Sequence, residues 1–134
     1  MFQMFSKDMV IGILLSSAKM NLSISLNEEA KIGYSVKLSL DIRGKKEFLV
    51  GLHRSLIMQG IESNLKDKEQ LSRPKPILKI TGKYNLWKVK ELVPNLPDSN
   101  GEWKDFVRCV ELMNENKHLT LDGLEIIMKI KGVL

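Results

Sequence analysis

From Lys19 to Leu26, K-M-N-L-S-I-S-L, apolar and polar residues alternate without a break. Met20, Leu22, Ile24 and Leu26 share one parity; Lys19, Asn21, Ser23 and Ser25 share the other. The rule returns from Tyr34 to Arg43, where Tyr34, Val36, Leu38, Leu40 and Ile42 alternate with Ser35, Lys37, Ser39, Asp41 and Arg43. Successive side chains of a strand point to opposite faces, so each run predicts a half-buried strand. The N-E-E-A-K-I-G between them predicts a hairpin. Residues 45–59 predict a helix burying Phe48, Leu49, Leu52 and Leu56, stopped by Gly60. Residues 61–66 and 77–83 read as two further strands, whose Asn64, Lys66, Lys79, Thr81 and Lys83 extend the polar face. The charged segment 66–76, with two prolines, reads as a solvated loop. Residues 86–92 predict a short helix that Pro94 and Pro97 keep from continuing. Residues 102–115 carry Trp103, Phe106, Val107, Val110 and Met113 on one helical stripe. A last helix starts after Thr120 as N-cap and turns Leu124, Ile127 and Met128 inward.

The first helix is different. V-I-G-I-L-L-S-S-A-K lies in a predicted helix over Lys7 to Ser17, capped by Ser6 and with Asp8 in its first turn. It is apolar nearly all round, which predicts burial on most sides. Gly12 and Ser16, one turn apart, make a notch of small residues where another helix can approach. That approach is either packing within one domain or a symmetric contact with a second subunit. The apolar run is too short for a bilayer, which takes ~20 residues. The M-F-Q-M-F-S-K-D ahead of it is not the basic start of a signal peptide, so the expectation is an intracellular protein with no membrane partner. Segregated strands and helices predict the α+β class, and 134 residues predict one domain.

Composition narrows the chemistry. The hydrophobic share of 43% supports a real core. A net charge of +5, carried mostly by lysine, favours an anionic partner. Cys109 is the only cysteine and His53 and His118 the only histidines, which excludes an internal disulfide and disfavours a Cys/His zinc site. Cys109 reads as a core residue, and His118 as structural, because no nucleophile and acid accompany it. The polar parity of the strands holds short hydroxyls, amides and a few cations. It is either a solvated sheet face or a surface for base edges and phosphates.

The stretch F-V-R-C-V-E-L-M-N-E-N-K-H-L-T-L-D-G-L-E-I-I-M-K-I-K, with His118, Leu119, Thr120, Gly123 and Leu124 as its core element, resembles the closing segment of single-motif LAGLIDADG homing endonucleases. The long alternating strand followed by K-K-E-F-L fits the same family, and the resemblance spans nearly the whole chain. It implies an α+β LAGLIDADG homing-endonuclease-like fold, helix-hairpin-helix-hairpin-helix with a curved antiparallel sheet. The family motif falls on Val10 to Ala18. Gly12 is retained, Leu15 takes the place of the first acid, and Ser17 that of the acid which carries the metal ion. Gly44 stands where the family often has a glutamine, and no lysine lies between Asn95 and Trp103.

The resemblance therefore implies a degenerate active site that holds no metal, and a homodimer meeting through Val10, Gly12, Ile13 and Ser16. Its sheets would lie on double-stranded DNA or intron RNA. Asn21, Ser23, Ser25, Ser35, Lys37, Ser39, Asp41, Arg43, Asn64, Lys66, Lys79 and Thr81 are the expected nucleic-acid contacts. No cofactor is expected. Mg²⁺ enters only under an alternative reading, an active endonuclease with its metal site shifted to Glu28 or Glu29. A third reading is a protein-interaction module whose polar face is merely solvated.

Overall fold

The computed structural model describes residues 4–70, 72, 75–94 and 101–134. Helix α1 (Lys7–Ser17) leads into strands β1 (Lys19–Leu26) and β2 (Tyr34–Arg43). Helix α2 (Lys46–Met58), strands β3 (Asn64–Lys66) and β4 (Ile77–Thr81), and helices α3 (Lys83–Leu92), α4 (Gly101–Asn114) and α5 (Leu121–Lys131) follow, with a 3₁₀ turn over Lys117–Leu119 before α5. The α+β class is the observed one. Local chemistry accounts for the ends. Ser6 Oγ accepts from Met9 N at 3.2 Å to cap α1, and Thr120 Oγ1 accepts from Gly123 N at 3.1 Å to cap α5. Gly60, at φ +79°, closes α2 while Ile61 N donates back to the Leu56 carbonyl.

The four strands form one antiparallel sheet in the order β1-β2-β4-β3. One face is apolar and carries the helices. Leu22, Leu38, Leu40, Ile42, Leu78 and Ile80 pack there with Leu49, Leu52 and Leu56 of α2, Phe106 and Val110 of α4, and Ile127 of α5 in one buried cluster. Cys109 belongs to that cluster. Burial, with help from Asp105, pushes its thiol up to about 11. The folded protein is therefore expected to resist iodoacetamide at pH 8 and to react fully once unfolded, as mass spectrometry would read.

Several expectations are corrected. The third strand is shorter than 61–66, because Ile61 is tied to the end of α2 and fully buried there. The fourth stops at Thr81. Gly82, at φ +93°, turns the chain, and Lys83 begins α3 instead of extending the polar face. Leu26 and Tyr34 keep the apolar parity but are 79% and 41% exposed, since they pair with each other at the hairpin tip, beyond the packed core. Val10 is 0% exposed, packed into the chain's own core, and so leaves the set expected to meet a second subunit. Gly12 and Ser16 are exposed and Ile13 half-buried. Part of the 66–76 loop, and the 95–100 stretch whose lack of lysine was noted, lie outside the described residues.

Candidate nucleic-acid interface

Register decides which polar residues become neighbours. Ser25 lies opposite Ser35, Ser23 opposite Lys37, and Asn21 opposite Ser39, which is in turn opposite Thr81. The next polar row runs across all four strands: Lys19, Asp41, Lys79, Asn64. Arg43 and Lys66 flank Ile77. The expected strand residues other than Lys83 thus share one side of the sheet, opposite the helices. Ile77, which parity also puts on the polar side, is the apolar exception there, fully buried between its two cationic neighbours.

Charge on the face is more committed than the sequence suggests. Arg43 makes a two-pronged contact with Glu69, through Nε at 3.3 Å and through a short Nη2 bond. Those bonds hold the guanidinium above even its ordinary range. Lys79 Nζ lies 3.4 Å from Asp41 Oδ2. Asp41 and Ser39 are buried, and Ser39 Oγ donates to Asp41 Oδ1 at 2.9 Å. Asn27 Nδ2 donates to Ser35 Oγ at 2.7 Å. Lys37 and Lys66 are exposed and have no ion pair among the described residues. Asn21, Ser23, Ser25, Asn64 and Thr81 are exposed as well. A groove of about 400 Å³ opens where β4 ends beside β2. It is rimmed by Asn21, Lys37, Lys79 and Lys83 and floored in part by Leu86 and Met113.

The end of α1 carries two hydroxyls. Ser16 Oγ donates to the Gly12 carbonyl at 2.8 Å and lies 3.3 Å from Ser17 Oγ. Ser17 is exposed, and Lys19 lies two residues on. Neutral hydroxyls beside a lysine do not fit a Mg²⁺ ion, which prefers carboxylate and water oxygens. A carboxylate that sequence reasoning missed lies beside this terminus. Glu102, from the start of α4, accepts from Met20 N at 3.1 Å and lines a small hollow with Ser16 and Lys19. Glu28 and Glu29 lie in the 27–33 turn at the other end of β1, ~23 Å from the α1 terminus at ~3.3 Å per residue. They are too far to join a metal site at that terminus of the same chain. A Cβ at Gly44 would stand 3.0 Å from the Phe48 ring, so a larger residue there would displace it. His118 sits behind the face, half-buried. Burial, and then Lys83, push its pKa down, and its Nδ1 has no hydrogen-bond partner among the described residues.

No protein-family model matches this sequence, and no curated protein matches it. Solved structures do. The homing endonuclease I-TnaI superposes with TM-score 0.79 at 25% identity over 96% of this chain and 86% of its own. The LAGLIDADG homing endonuclease I-LtrWI, bound to target DNA, gives 0.77 at 18% identity over 97% of this chain. The LAGLIDADG meganuclease I-CpaMI, bound to uncleaved DNA, gives 0.76 at 16% over 95%. This chain spans only 44% of each of the latter two. These superpositions give the α+β chain, with its four-stranded antiparallel sheet, helices on one face and a polar other face, the LAGLIDADG homing-endonuclease fold. In fold and order of elements this chain is LAGLIDADG homing-endonuclease-like. Among the described residues, no helix is long and apolar enough to cross a membrane.

Proposed function

We propose that this chain is a nucleic-acid-binding protein, one domain per subunit, that works as a homodimer without cleaving its target. The observation that carries the proposal is the continuous polar face, with hydroxyls, amides and uncommitted lysines aligned across paired strands. A β-ribbon of this kind suits the major groove, where short polar side chains read base edges and lysines hold phosphates. The DNA-bound neighbours of the same fold support duplex DNA as the ligand. Ser17 and Lys19 at the end of α1, where the resemblance expects a metal-holding carboxylate, support loss of cleavage, and the Glu102 carboxylate beside them is already engaged by Met20 N. The output is then occupancy of a site, as a regulator, or a maturase-like hold on intron RNA.

Fluorescence anisotropy with duplex DNA at low and physiological salt, with and without Mg²⁺, tests this directly. The expected result is steeply salt-dependent binding, indifferent to Mg²⁺, with the DNA intact afterwards. A Mg²⁺-dependent cut would overturn the inactive reading. No binding at low salt would leave the protein-interaction module.

The dimer has its own test. A Cβ at Gly12 meets nothing within 4 Å in the isolated chain, and leucine favours a helix interior over glycine by ~1 kcal/mol. Gly12→Leu should therefore fold normally. It would also push two α1 helices apart across a twofold axis, where each misfit counts twice. The dimer dissociation constant is expected to rise roughly 100-fold, measured by sedimentation equilibrium.

A further inference from the structure

Among the described residues, Asp41 is the only acid in the four strands, and it lies on the face proposed to meet a polyanion. It is 3% exposed, so it cannot reach a base edge. Its oxygens are occupied from three strands. Oδ1 accepts from Ser39 Oγ of β2 at 2.9 Å; Oδ2 accepts from Asn21 Nδ2 of β1 and Lys79 Nζ of β4, each at 3.4 Å. Resting on the nucleic-acid reading above, we infer that Asp41 is a positioning residue that sets the sequence discrimination of this face through Asn21, Ser39 and Lys79.

A carboxylate only accepts. Asn21 must turn its amino group toward Asp41, which leaves its Oδ1 as the free end. Ser39 must spend its hydroxyl proton on Asp41. Asn21, the exposed one of these two, thereby presents a fixed acceptor, as base readout requires. Lys79 is a flexible point charge that, unanchored, would take any nearby phosphate. Paired with Asp41, it adds little to sequence-independent attraction. Asparagine at 41 would keep the shape, but it offers both a donor and an acceptor and carries no charge, so both constraints lapse.

The test uses the full chain and a pool of random-sequence duplexes, with affinity read at 50 and 200 mM salt and the bound fraction sequenced. For each Lys79 released, Asp41→Asn should steepen the salt slope by about 0.9, a roughly 3.5-fold greater loss of affinity between those salts. It should also flatten the enrichment of preferred sequences. Asp41→Asn plus Lys79→Gln should return the slope to the wild-type value with enrichment still flat. Asn21→Ala, at an exposed position that does not threaten folding, should flatten enrichment with the slope unchanged. Wild-type slope and enrichment in Asp41→Asn, or wild-type enrichment in Asn21→Ala, would overturn the inference while the nucleic-acid reading stands. Failure of the wild-type protein to bind the pool at 50 mM salt would overturn that reading and this one together.

Discussion

Replacing Lys37 and Lys66 together with alanine is expected to weaken duplex-DNA binding at least about 100-fold at 50 mM salt and to flatten its salt dependence by ~3.6. Two contacts from each subunit of a dimer, each releasing ~0.9 counterion, make up this change. These two lysines carry the weight because the other cations of β2 and β4 are spoken for. Arg43 is held by Glu69 and Lys79 by Asp41. The contrast gives a control. Arg43→Gln plus Glu69→Gln removes one charge of each sign and should leave the slope in place. Anisotropy titrations at four or five salt concentrations measure both. An unchanged slope in the Lys37/Lys66 variant, with binding intact, would mean that the sheet face is not the binding surface.

Gly123→Ala is expected to cost about 3 kcal/mol of stability, at the upper end for overpacking a tight site. For a chain of this size that is a fall of roughly 10–15 °C in Tm. A Cβ at Gly123 would sit 1.8 Å from the Lys117 carbonyl oxygen, and the atom it meets is backbone, which cannot swing aside. That carbonyl also accepts from Thr120 N at 3.1 Å and from Thr120 Oγ1 at 2.7 Å. Moving it loosens the residue that caps α5. Leu121→Ala, in the same turn but exposed, should change stability by less than ~0.5 kcal/mol. Thermal unfolding followed by circular dichroism separates the two. Equal small shifts would mean that the turn adjusts and that the glycine is not required.

That glycine also explains why the H-L-T-L-D-G-L element reads so clearly. Thr120 caps, Gly123 admits a close backbone approach, and Leu124 enters the core. Each requirement is local, and each leaves a residue type at a set spacing. The hairpin strands were legible for the same kind of reason. A period of two over eight and ten residues has one structural meaning, and β1 and β2 keep the expected bounds. The weaker strands gave way to backbone local to them: the C-terminal turn of α2 took Ile61, and Gly82 took Lys83 into α3. Helix α1 was legible as a helix, but not in orientation. An evenly apolar helix has no preferred side, so only the packed neighbours place Val10 and Leu14 inward and leave Gly12 and Ser16 out.

The amino-acid sequence by itself determined the class of fold, the two long strands, the caps and the parity that gathers polar residues on one side of a sheet. These follow from steric and hydrogen-bonding rules that act over a few residues. Tertiary structure alone decided the strand order β1-β2-β4-β3 and, with it, the charge that the face presents. Asp41 meets Lys79 across 38 residues of chain and Arg43 meets Glu69 across 26. Coulomb and hydrogen-bond partners are set by distance in space, and no period along the chain encodes them.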